Sequence, residues 1–147
     1  MLPKELSNGI CSLNPQTDRL AFSCIMNIDS NGIVKSYKFE KSVICSRVKG
    51  VYSEINKIIA GEADEEILSK YAEVIDNIPI MLELFKLLDK NKKARGCPDI
   101  ETSESRLVIN ENDECIEVKG RSRGISEEVI EDFMLAANAV SYTHLRA

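Results

Sequence analysis

A chain of 147 residues with 44% hydrophobic and 29% charged side chains can bury a single core and has the balance of an ordinary globular domain. No apolar run approaches the roughly 20 residues that a bilayer crossing needs, and the N-terminus lacks the basic-then-apolar pattern of a secretory signal, so a cytoplasmic protein with no membrane partner is expected. The net charge of −5 argues against a surface that grips nucleic acid by bulk electrostatics.

Five cysteines (Cys11, Cys24, Cys45, Cys97, Cys115) are odd in number, widely spaced and form no Cys-x-x-Cys pair. A disulfide framework or zinc site is therefore not expected, and buried free thiols are.

The chain opens on a dense loop, residues 7–20. Ser7-Asn8-Gly9 suits a tight turn, because Gly and Asn accept the positive φ that other residues resist. Asn14-Pro15 suits another, since proline fixes its own φ and pushes its predecessor out of the helical region. Between them Ile10, Cys11, Ser12 and Leu13 are too few for a helix. Asp18-Arg19 then places opposite charges at the mouth of a strand.

Residues 20–28 read as that strand, apolar enough to be at least half buried, and residues 33–46 as its partner. Asp29-Ser30-Asn31-Gly32 between them predicts a β-hairpin. The Asp-x-Asn-Gly fragment is too short for a calcium loop and reads as a structural turn.

A helix is predicted from Tyr52, with Ile55, Ile58 and Ile59 on one face and Gly61 as its stop. Residues 63–90 form a longer helical stretch with an apolar stripe of Leu68, Tyr71, Val74, Ile75, Ile78, Met81, Leu82, Phe85 and Leu88. Pro79 inside it predicts a kink, or two helices meeting near Asn77-Ile78. Lys86, Lys90, Lys92, Lys93 and Arg95 close the stretch, where cations complement the helix dipole.

Residues 106–110 and 115–119 predict a second hairpin across an acidic turn, with Leu107, Ile109, Ile116 and Val118 on one buried face. Ser126 is then a candidate N-cap for a helix whose apolar face is Val129, Ile130, Phe133, Met134 and Ala137. Glu131 and Asp132 are about 100° apart on that helix, so the two acids cannot both face one site.

Several of these segments carry a resemblance. Leu2-Pro3, Leu6-Ser7-Asn8-Gly9, Cys11-Ser12-Leu13-Asn14-Pro15 and Asp18-Arg19 resemble the LP..LSNG.CSLNP..DR segment of the ribonuclease II / ribonuclease R family. Residues 46–59 resemble the family's S.A.LTY..V stretch, 95–101 its RG.LDF element, and 126–138 its acidic FM..AN helix. The resemblance implies part of an RNB catalytic domain over residues 1–138, with an α+β fold of antiparallel hairpins packed with helices. The match breaks over residues 139–147, which are expected to be a truncated or non-native tail, and His144 there is given no catalytic role.

As function, the resemblance implies a processive 3′-to-5′ exoribonuclease that hydrolyses single-stranded RNA to 5′-nucleoside monophosphates. Its partner would be an RNA 3′ end, with no DNA partner and a monomeric full-length enzyme. An acidic protein can do this when metal ions and a few placed cations neutralise the phosphates in a narrow channel. Tyr52, Glu131 and Arg19 are the implied RNA contacts, with Glu131 supporting the active site. Ile100 stands where the family places a base-stacking aromatic, which removes the π system from that contact. The family's Mg²⁺-binding aspartates precede the CSLNP segment, and the eight aspartates here are scattered. A fragment binding no metal and inactive alone is therefore expected. The alternative reading is a non-catalytic acidic α+β interaction module.

Overall fold

The structure is a computed structural model that describes residues 3–97, 104–110, 115–121 and 123–146. Asp29 organises the first chain reversal. Its Oδ1 accepts from the N–H groups of Asn31 and Ile33, both at 2.9 Å, while Lys35 Nζ lies 3.1 Å from Oδ2. Those contacts, the Ile33 N–H foremost, hold the carboxyl below its ordinary pKa. Gly32 completes the turn at φ +75°, and a β-carbon there would collide with Leu87 and Asn91.

The reversal joins β1 (Asp18–Ile28) and β2 (Val34–Cys45) as an antiparallel pair, in register from Asp18↔Cys45 to Ile28↔Val34 with a bulge at Asn27/Ile28. The predicted hairpin is present, but its burial differs from expectation. Leu20, at 88% exposure, shares a face with exposed Phe22 and Val43, on which Phe22 stacks against Phe39 with centroids 5.6 Å apart. Apolar sequence alone does not bury a two-stranded ribbon: it needs a third layer on that face, and the helices meet the ribbon at its turn end.

Four helices follow the same logic of local signal and later packing. Helix α1 (Tyr52–Ala60) stops at Gly61, whose φ of +75° closes it through the N–H groups of Gly61 and Glu62. The long helical stretch divides into α2 (Glu65–Tyr71) and α3 (Asn77–Ala94). Pro79 sits in the first turn of α3, where a missing N–H removes no intrahelical bond. Strands β3 (Glu104–Ile109) and β4 (Cys115–Arg121) form a separate antiparallel hairpin whose acidic turn lies outside the described residues. Ile116, expected inside, is exposed. Helix α4 (Ile125–Arg146) runs through the segment expected to be a tail.

The core lies between the helices. Helix α4 packs on α1 and α3, α1 also meets α2, and Tyr71, Ile78, Phe85, Val129 and Val140 are buried among them. Full burial of one such side chain contributes roughly 1.5–3 kcal/mol. Met134, predicted on the apolar face of α4, is exposed, because α1 and α3 cover the neighbouring faces. The thiols correct another expectation: all five cysteines are free, four are exposed and Cys24 is half-buried. Cysteine content predicts burial only on average, and these sit on loops and on a thinly covered ribbon.

Candidate functional site

The N-terminal loop is held by its own polar side chains. Leu6–Ile10 is a single π-helical turn, not the tight turn expected, with Cys11 N–H returning to Leu6 C=O at 3.0 Å. Arg19 Nε donates to Ser12 C=O at 3.0 Å and its Nη1 to Asp18 C=O at 3.1 Å, so this implied RNA contact braces the loop. Gln16, at φ +55°, donates from its backbone to Ser46 C=O and from its side chain to Arg47 C=O, each at 2.8 Å. The loop is thereby fixed to the segment that leads into α1.

Tyr52 is the first residue of α1 and is 44% exposed. The extended backbone of Val51 precedes it, and Val51 N–H donates to Tyr71 Oη at 3.0 Å. Tyr71 Oη in turn donates to Glu54 Oε2 at 2.5 Å, which also receives Lys70 Nζ at 2.5 Å. The Lys70 and then the Tyr71 hydrogen bond lower the Glu54 pKa; burial and then Glu54 raise that of Tyr71. One end of α2 therefore anchors the start of α1.

Helix α4 anchors the other side of Tyr52. Ser126 was predicted as N-cap, yet the first turn of α4 closes on Gly124, whose C=O accepts from the N–H groups of Glu127 and Glu128. Ser126 is instead buried against α1. Its N–H donates to Asn56 Oδ1 at 3.0 Å, and its Oγ lies 3.2 Å from Tyr52 C=O and 3.1 Å from Glu127 Oε2. A hydroxyl has one proton, so it serves one of those acceptors at a time. Asn56 Nδ2 donates to Glu127 Oε2 at 3.2 Å, and Gly124 N–H donates to the same oxygen at 3.1 Å. A β-carbon on Gly124 would collide with the Asn56 carboxamide, which explains the glycine. Burial is the largest single influence on Glu127 and pushes its pKa up. Hydrogen bonds from Asn56, its own N–H, Ser126 and Gly124 together outweigh it and leave the carboxyl below its ordinary value.

Beside this junction, Tyr52, Ile55, Tyr71, Ile78, Met81 and Ile130 line much of an apolar cavity of about 510 Å³. Glu131 does not line it. Five residues beyond Ser126, it lies about 140° round the helix, exposed, with Arg123 Nη1 at 3.2 Å from its Oε2. Asp132 turns inward: its side chain is 3% exposed and its Oδ1 accepts from Lys92 Nζ at 2.6 Å. That bond is the main cause of a raised Lys92 pKa. The structure thus links Tyr52 to α4 without placing Glu131 in the same pocket, and Ile100 lies outside the described residues. Asn56 and Gly124 escaped sequence reasoning, although Gly124-x-x-Glu127 has the spacing of a helix-start capping pair.

The profile of the RNB domain matches residues 1–147. The chain belongs to the RNB domain family. It is 44% identical to ribonuclease R 1 of Lactococcus lactis over 147 residues, covering 100% of this chain and 18% of that protein. Against ribonuclease R of Escherichia coli the identity is 34% over 138 residues, 94% of this chain and 17% of the relative. This RNB segment therefore spans about a fifth of the curated relatives it matches. Among solved structures, the apo form of Mycoplasma genitalium ribonuclease R superposes with a TM-score of 0.83 at 28% identity, over 93% of this chain and 21% of that one. The same enzyme in complex with ribose-methylated single-stranded RNA also gives 0.83. Its complex with double-stranded RNA gives 0.82 over 24% of that chain.

Among the described residues no helix is long and apolar enough to cross a membrane. No three His, Cys, Asp or Glu side chains among them gather to hold a metal ion. The buried carboxylate of Asp132 pairs through Oδ1 with the Lys92 ammonium, while its Oδ2 has no hydrogen-bond partner among the described residues. A lone carboxylate beside a cation does not fit the Mg²⁺ that the resemblance implies.

Proposed function

We propose that this RNB segment serves a 3′-to-5′ exoribonuclease by guiding the single-stranded 3′ end of RNA, with Tyr52 as the principal contact. The observation that carries this reading is the setting of Tyr52. Its ring is partly exposed at an apolar cavity, while the backbone on either side is bonded to α2 and α4. A side chain that stacks on a base does so at least entropic cost when its backbone is already fixed. The relatives solved with RNA support the substrate class.

Glu131, exposed beside Arg123, acts in this reading as an active-site support that completes its surroundings in the full-length enzyme. Arg19 acts chiefly by holding the loop, and Ile100 offers an apolar surface where the family has an aromatic. Mg²⁺ in this reading is held by carboxylates outside this segment, in a cytoplasmic, monomeric protein, and the segment alone should give no turnover.

The test is Tyr52→Ala in the full-length protein. Stacking on one base is worth about 1–3 kcal/mol, so RNA affinity should fall roughly five- to 150-fold, or the end product should change length, with the melting temperature little altered. Unchanged RNA products with a collapsed melting temperature would reduce Tyr52 to a packing residue.

A further inference from the structure

We infer that Asn56 is a positioning residue for RNA contact, acting through Tyr52 by tying the N-terminal half of α1 to the first turn of α4. The inference rests on the reading of Tyr52 as an RNA contact. Asn56 lies one helical turn beyond Tyr52, and its carboxamide uses both ends across the helix junction. Oδ1 accepts from the backbone N–H of Ser126, and Nδ2 donates to the Glu127 carboxylate. The N–H groups at the start of a helix have no intrahelical acceptor, so the one that Asn56 satisfies would otherwise be a buried, unpaired donor.

The surroundings leave this carboxamide little freedom. Ser126 is 5% exposed, Gly124 leaves no room for a side chain, and Glu127 Oε2 also receives Gly124 N–H. The hydroxyl of Ser126 divides its proton between Tyr52 C=O and Glu127, so that contact is intermittent while the two bonds of Asn56 are simultaneous. Asn56 is thus the more constant tie holding the Tyr52 end of α1 against the helix that carries Glu131. A displacement of about 1 Å in a positioned group can cost a large factor in rate, so a loosened junction should register in RNA handling.

Donor and acceptor roles at this junction can be exchanged. In Asn56→Asp the Ser126 N–H keeps its acceptor, but two carboxylates then face each other at Glu127. Adding Glu127→Gln turns that repulsion back into an amide–carboxylate hydrogen bond, while the Gly124 N–H, which shares the same oxygen, loses its acceptor where the Gln nitrogen takes that place.

The experiment measures KM, kcat, end-product length and melting temperature in the full-length protein. Variants are Asn56→Asp, Asn56→Asp with Glu127→Gln, and each of these with Tyr52→Ala. The expected result is a roughly three- to tenfold rise in KM or altered products for Asn56→Asp, the size of one or two lost hydrogen bonds. The swapped pair should restore KM and products in large part, short of the lost Gly124 bond, and Asn56→Asp should add no further effect once Tyr52 is alanine. Three results would overturn the inference: a fall in melting temperature with RNA parameters unchanged, no rescue by the swap, or equal increments in both backgrounds. If Tyr52→Ala shifts RNA handling and Asn56→Asp does not, the inference alone fails. If Tyr52→Ala shifts nothing, the reading of Tyr52 fails and takes the inference with it.

Discussion

Lys92 Nζ sits 2.6 Å from Asp132 Oδ1, an ion pair on the side of α4 that also buries Val129 and Val140. With that side of the helix turned to α3, Asp132 is buried and its neighbour Glu131, about 100° round the helix, faces outward toward Arg123. The inward acid thus meets a lysine forty residues away in sequence, and the other is left at the surface.

Removing that lysine should be costly. Lys92→Met leaves the Asp132 carboxylate buried without a partner, for a loss of roughly 2–4 kcal/mol, below the full range for a buried pair because Lys92 keeps some contact with water. Urea denaturation measures it, and a loss under about 0.5 kcal/mol would mean that the pair behaves as a surface contact.

At the start of α1, Tyr71→Phe deletes the donor to Glu54 and the acceptor of Val51 N–H while keeping the buried ring. The expected loss is roughly 1–3 kcal/mol, accompanied by faster amide exchange at Val51. Unaltered exchange at Val51 would show that the helix start stands without the Tyr71 hydroxyl.

Gly32→Ala should destabilise the hairpin where it meets α3. Its φ is +75° and the added methyl would meet Leu87 and Asn91, so a cost of at least about 1–3 kcal/mol is expected. Gly9→Ala is the control, since open space surrounds that position, and it should change stability by about 0.5 kcal/mol or less. Thermal unfolding of the two variants side by side gives the comparison.

Acid should loosen both anchors of Tyr52. Glu54 and Glu127 have folded pKa values below their ordinary 4.5, so each contributes stability that is present above that value and lost as pH falls through the lowered one. Melting curves taken downward from neutral pH should therefore steepen in their decline below about 4.5, and Glu127→Gln should flatten part of that decline. A Glu127→Gln profile parallel to the parent's would show that Glu127 is not titrating as argued.

Much of the architecture was legible from local signals. Asp29 to Gly32 announced a reversal because only glycine accepts that φ without strain, and the neighbouring runs had the residues of strands. Gly61 and Pro79 marked helix boundaries for equally local reasons. Burial was less legible. Leu20 and Phe22 have the character of core residues yet are exposed, while the hydroxyl of Ser126 is inside. The cap was misplaced by two residues because Ser126 has the preferred chemistry for capping, and Asn56 had already claimed its N–H.

By itself, the order of amino acids determined the hairpins, the helix boundaries at Gly61 and Pro79, the RNB resemblance and the separation of Glu131 from Asp132, because each depends on backbone preferences or spacing within a few residues. Tertiary structure alone decided which acid turned inward, which helix end held Tyr52, and that Asn56 would join them. Those outcomes depend on a polar group meeting its partner across a long loop of chain, and burial makes such a meeting obligatory without naming the partner in advance.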